Sequence, residues 1–111
     1  MIEQYSFGRM VISGKAYTND LKIFPGKIVA DWWRKQGHRL QLADIGDVIE
    51  ADPKTVIVGR GYYSIMVVSD EVKEYFREKG IQLIELPTSQ AWIKFNELQG
   101  EGVIGLFHLT C

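Results

Sequence analysis

Three apolar runs in the second half of the chain, TVIVG at 55–59, IQLIEL at 81–86 and VIGLFHL at 103–109, constrain the fold more than any other feature. Each is separated from the next by a segment with helical periodicity. In the first of these, Ser69 is expected to cap, Asp70 and Glu71 suit the positive end, and Val72, Tyr75 and Phe76 make one apolar stripe that Gly80 ends. Pro87-Thr88 opens the second, in which Ala91, Phe95 and Leu98 fall at i, i+4 and i+7 before Gly100 to Gly102 break it. The pattern predicts β-α-β-α-β. Helical crossovers of this kind run right-handed, so the three strands should lie parallel in one sheet with their carboxyl ends at one edge.

The first half reads differently. Tyr5 and Phe7, Met10 and Ile12, and Leu21 and Ile23 alternate between Ser13-Gly14, Thr18-Asn19-Asp20 and Pro25-Gly26, which are turn formers; this predicts an antiparallel β-meander up to about Val29. Residues 31–38, DWWRKQGH, have no clean period, and 38–42 alternate again. Asp44 is expected to cap a short helix that buries Ile45, Val48 and Ile49 and stops at Asp52-Pro53. The fold class expected is α/β, an N-terminal antiparallel meander joined to a β-α-β-α-β half with a small, mainly parallel sheet. At 111 residues and 46% hydrophobic the chain suits a single domain over 1–111.

With 13 Lys+Arg against 14 Asp+Glu, no global field recruits nucleic acid or an anionic membrane. The lone Cys111 excludes an internal disulfide, and no early apolar run has the length of a secretory core or membrane span. The expectation is a cytoplasmic protein with no nucleic-acid or membrane partner.

Ligands of open parallel sheets bind at the carboxyl edge, where this topology gathers Gly59, Arg60, Gly61, Ser69, Pro87, Thr88, Thr110 and Cys111. VIVGRGYYS, at 56–64, is no dinucleotide fingerprint, because Ser64 stands where a third glycine is needed and the helix begins only near Ser69. Gly59 and Gly61 serve either a tight turn with close backbone approach or, with Arg60, an anion cradle. The candidate ligand-binding set is therefore Gly59, Arg60, Gly61, Thr88 and Thr110. A second candidate joins Trp32, Trp33 and Arg34 with Tyr62 and Tyr63 as an interaction surface; Lys35, His38 and Arg39 make the same region basic. His108 and Cys111 invite a Cys-His pair, but along a strand 108 shares its face with 110 and not with 111, and His38 is the only other histidine. Neither these residues nor the carboxylates Asp44, Asp47, Glu50 and Asp52 have metal-ligand spacing, so no metal, cofactor or catalytic residue is expected.

SFGRMVISGKAYTNDLKIFP, VADWWRKQGH, VIVGRGY, ELPTSQAWIKFNEL and the closing FHLTC together resemble a family of small domains of unknown function from archaea and bacteria. Its eukaryotic members include a mitochondrial complex I assembly factor and an adipogenesis-associated protein. The resemblance runs along essentially the whole chain. It implies a three-layer α/β fold and no defined reaction; Arg60 departs from it, since members often carry a small residue between the two glycines. Two functions follow as expectations: a non-catalytic interaction or assembly module, self-associating as a dimer, or a small anionic-ligand protein or enzyme with its site at the carboxyl edge.

Overall fold

The computed structural model describes residues 1–111. The chain opens with β1 (Ile2–Ser6), β2 (Arg9–Ile12) and β3 (Lys15–Tyr17), an antiparallel sheet in that order. Next come β4 (Leu21–Phe24), β5 (Lys27–Val29), β6 (Arg39–Leu40), a 3-10 turn at Leu42–Asp44, and α1 (Gly46–Ala51). The second half runs β7 (Thr55–Gly59), β8 (Val67–Val68), α2 (Asp70–Lys79), β9 (Gln82–Leu86), α3 (Thr88–Leu98) and β10 (Val103–Phe107). The central sheet has the order β5-β4-β10-β7-β9, and β6 pairs with β8 in a short parallel ladder.

The three predicted strands are parallel neighbours. β7 pairs with β9 from Thr55↔Gln82 to Gly59↔Leu86, and with β10 from Val103↔Thr55 to Phe107↔Gly59. The chain steps from β7 out to β9 and then back across β7 to β10. Right-handed crossovers taken in opposite directions put their helices on opposite faces of the sheet. Accordingly Val72 and Phe76 of α2 share a core with Val56, Val58, Ile104 and Leu106, whereas Ala91 and Phe95 of α3 share one with Ile57 and Phe107. This explains why VIV is apolar at successive positions: β7 is covered on both sides. The α2 layer also holds α1 and the segment from Trp32 to Ile45; the α3 layer holds the β1–β3 sheet through Ile2, Met10 and Ile12.

The meander does not continue as one sheet. β4 leaves β3 and pairs antiparallel with β10, from Ile23↔Gly105 to Leu21↔Phe107, so the central sheet is mixed, with its parallel half extended by β4 and β5. Lys22 is tolerated in this fully buried strand because its Nζ donates to the Asp44 carbonyl at 2.9 Å and to Asp47 Oδ1 at 2.7 Å. β10 ends two residues early because the Leu109 N–H donates to Asp20 Oδ1 at 2.7 Å instead of to a neighbouring strand. The Ser69 hydroxyl caps nothing; the serine carbonyl accepts from the N–H groups of Val72 and Lys73. Asp44 caps the 3-10 turn rather than α1, accepting from the Gln41 and Lys35 N–H groups. Leu98 ends the α3 stripe exposed.

Candidate functional site

The register of β4 on β10 builds a buried polar cluster at the carboxyl edge. With Phe107 opposite Leu21, the next pair outward brings His108 to Asp20. His108 Nδ1 lies 2.7 Å from Asp20 Oδ2, and since the ionised carboxylate only accepts, Nδ1 carries the proton. Arg34 Nη2 donates to the same oxygen at 2.7 Å, and the guanidinium also donates to the Gly37 carbonyl through Nε and Nη2. Arg34 lies over the ring of buried Trp32, 4.8 Å from its centroid, while the backbone N–H of Trp32 donates to the Asp20 carbonyl. The tryptophan thus fixes both the height and the neighbour of the guanidinium.

Burial alone would raise the Asp20 carboxyl. Hydrogen bonds from His108, the Leu109 N–H and Arg34 outweigh it and hold the group below its usual 3.8. Tyr5 donates to the Leu109 carbonyl at 2.8 Å, and its phenol is pushed up to about 12 by burial first, then by the proximity of Tyr62 and Asp20. The side chains of Arg34 and His108 are 3% and 6% exposed, yet Arg34 Nη1 and His108 Nε2 have no hydrogen-bond partner. Beside them opens a cavity of about 320 Å³ lined by Thr18, Asn19, Trp33, Gly37, His38 and Thr110 as well as the cluster. A hollow of the same volume at the other end of the sheet, around Ile23, Pro25 and Phe95, contains no buried ionisable group.

The residues singled out in the sequence take distinct places. Thr88 is fully buried, and its hydroxyl accepts from the Gly61 N–H at 2.8 Å while donating to the His108 carbonyl at 2.7 Å. A Cβ on Gly59 would stand 2.8 Å from Thr88 Oγ1, and one on Gly61 would overlap the Cys111 carbonyl. The glycines therefore let β7, α3 and residues 108–111 close on one another. Arg60 donates through Nε to the Met66 carbonyl at 2.7 Å and through Nη2 to the Ser64 carbonyl at 3.2 Å, bracing the loop that it begins. Thr110 lines the polar cavity with His108, as strand alternation requires, and Cys111 does not.

Trp32 and Trp33 separate, the first 6% exposed within the core and the second 76% exposed at the cavity's rim. Tyr62 and Tyr63 join Phe7, from the β1–β2 turn, in an aromatic cluster with ring centroids 5.0–6.2 Å apart. These three rings are 45%, 66% and 50% exposed, respectively. Their backbone is pinned: the Tyr62 N–H donates to the Thr110 carbonyl and the Gly8 N–H to the Leu109 carbonyl.

Sequence reasoning missed Asp20, read as a turn former, and the buried role of Arg34. It weighed His108 only against Cys111. The signal lay in the edge rule itself, which gathers 108 with 110; the partner at 20 required the register of a strand whose sheet was not predicted.

A family model described as "Protein of unknown function (DUF498/DUF598)" matches residues 2–108, and the chain belongs to that family. The crystal structure of the conserved hypothetical protein PH1505 from Pyrococcus horikoshii OT3 is similar at 26% identity, covering 100% of this chain and 99% of that one, with a TM-score of 0.84. The protein MT938 is 22% identical over 100% of this chain and 98% of its own, with a TM-score of 0.81. The NMR structure of XCC1710 from Xanthomonas campestris is 18% identical over 98% and 83%, with a TM-score of 0.85. The last two likenesses are of fold. No helix of the chain is long and apolar enough to cross a membrane.

Proposed function

We propose that this member of the DUF498/DUF598 family is a non-catalytic protein-interaction module, acting through the Phe7–Tyr62–Tyr63 face and pairing through it with a second copy of itself. The observation that carries the reading is the cluster: three large rings, Phe7 and Tyr63 each edge-on to Tyr62, half-exposed and held on a backbone tied to residues 109 and 110. Tyrosine and other aromatic anchors dominate interface energetics, and rings already ordered before contact lose little entropy on binding. Arg60 adds to this by bracing residues 60–66, and exposed Ile65 and Val67 extend the apolar surface along the same loop. A face that meets its own copy across a two-fold axis needs no second kind of surface. The resemblance to a mitochondrial assembly factor and an adipogenesis-associated protein supports an assembly role, and a cytoplasmic setting is part of the same proposal.

Light scattering across a micromolar concentration series tests the pairing. Wild type should have twice the monomer mass, and the double variant Tyr62→Ser/Tyr63→Ser should have the monomer mass with thermal unfolding changed little. A monomeric wild type, or a dimer indifferent to both substitutions, would overturn the proposal.

A further inference from the structure

We infer that the cavity beside the Asp20 cluster is a binding site for a neutral sugar ring, independently of the aromatic face. The inference rests on what the cavity shows a ligand once the ion cluster is satisfied. Asp20 is the only carboxylate lining it, and both oxygens are engaged, Oδ1 by the Leu109 N–H and Oδ2 by Arg34 and His108. The side chains of Arg34 and His108 are almost wholly buried, and their unpartnered atoms, Arg34 Nη1 and His108 Nε2, are closed off from solvent. The walls therefore offer a ligand almost no charged surface. An ion entering the cavity would shed water without meeting a free counter-charge, which disfavours it.

The groups that are open are neutral. Thr18, Asn19 and His38 are exposed, Thr110 is partly exposed, and all four line the cavity. Asn19 donates through Nδ2 to Asp31 Oδ1 at 2.8 Å, which orients the amide and leaves its own Oδ1 as an acceptor. Two hydroxyls, an amide oxygen and an imidazole make a wall of mixed donors and acceptors, and sugar hydroxyls, each donor and acceptor at once, match such a wall. The single apolar member of the lining is Trp33, 76% exposed at the rim. Its flat indole supplies the apolar surface on which the C–H face of a pyranose stacks, while the polar wall takes the hydroxyls. A purely apolar ligand would leave the threonine and asparagine groups unpaired. The backbone on either side of Trp33 is fixed, by the Trp32 N–H on the Asp20 carbonyl and by Arg34 on Asp20 and the Gly37 carbonyl, so the ring is presented from an ordered segment. The volume of about 320 Å³ lies at the lower end of small-molecule sites and suits one sugar ring.

The test is an NMR titration of the whole chain with D-glucose, D-galactose and N-acetyl-D-glucosamine, each compared with D-mannitol, an open-chain polyol that offers hydroxyls and no ring face. At least one sugar should produce saturable shifts of the Trp33 indole N–H and of the Asn19, His38 and Thr110 amides, with a dissociation constant below about 10 mM. The indole N–H groups of Trp32 and Trp92 should stay in place. Trp33→Ala, at an exposed position, should weaken binding at least about tenfold with thermal unfolding changed little. Thr110→Val, which removes one hydroxyl at nearly constant shape, should weaken it about fivefold. The inference is overturned if none of the three sugars moves these resonances beyond the mannitol control, or if both Trp33→Ala and Thr110→Val bind as wild type does. Shifts centred on Trp92 and absent from Trp33 would place any sugar elsewhere and overturn it equally.

Discussion

Asp20 shows how much one residue can carry when three segments converge on it. Its carboxylate ties the end of β10 to Arg34 and His108, and its own pKa is held below 3.8, so the stability it contributes is complete above pH 3.8 and disappears as pH falls through the lower folded value. Asp20→Asn should cost about 3–5 kcal/mol at pH 7, because it leaves a buried guanidinium without its counter-charge. Urea unfolding should show the gap to wild type narrowing as pH falls below 3.8. Tyr5 titrates with the opposite sign: its folded pKa of about 12 exceeds the unfolded 10.0, so its contribution is present below pH 10 and fades as pH rises toward 12. Thr88→Val would strand the Gly61 N–H and the His108 carbonyl in the interior, and should cost about 2–4 kcal/mol by thermal or urea unfolding. At this scale the sequence was only partly legible. The close approach at Gly59 and Gly61 was one of the two readings their position at a strand end allowed, whereas the convergence of residues 20, 34 and 108 has no local spacing to betray it.

Among the elements, the three long strands of the second half and their crossovers could be read through glycine stops, apolar stripes and continuous apolar runs, whereas the two-residue β8 gave no signal. The apolar run VIV of β7 is covered by α2 on one side and α3 on the other. The first half could not be read as fully, since the alternation of Leu21 and Ile23 fits either a meander or a strand beside β10, and only long-range pairing decides between them. The loop at 60–66 is similar: Gly59-Arg60-Gly61 looks like an anion cradle in sequence, while the Arg60 side chain is folded back on the carbonyls of Ser64 and Met66. Arg60→Thr should therefore speed amide hydrogen exchange in residues 62–66 and cost about 1–3 kcal/mol. Unchanged exchange there would show that the loop is held without the arginine.

For the molecule as a whole, the carboxyl edge of the sheet is where the polar cavity and the aromatic face meet. Residues 108–111 run between the polar cavity and the aromatic face, giving His108 and Thr110 to the first and backbone acceptors for Gly8, Tyr62 and Ile65 to the second. The central claim is that Phe7, Tyr62 and Tyr63 form the contact surface, and isotope-filtered NMR on a mixture of labelled and unlabelled chains tests it most directly. The account predicts intermolecular NOEs from the rings of these three residues, with none from β9 or the exposed side of α3. Intermolecular NOEs arising only from other surfaces, or none at concentrations where the rings remain sharp and solvent-exposed, would contradict it.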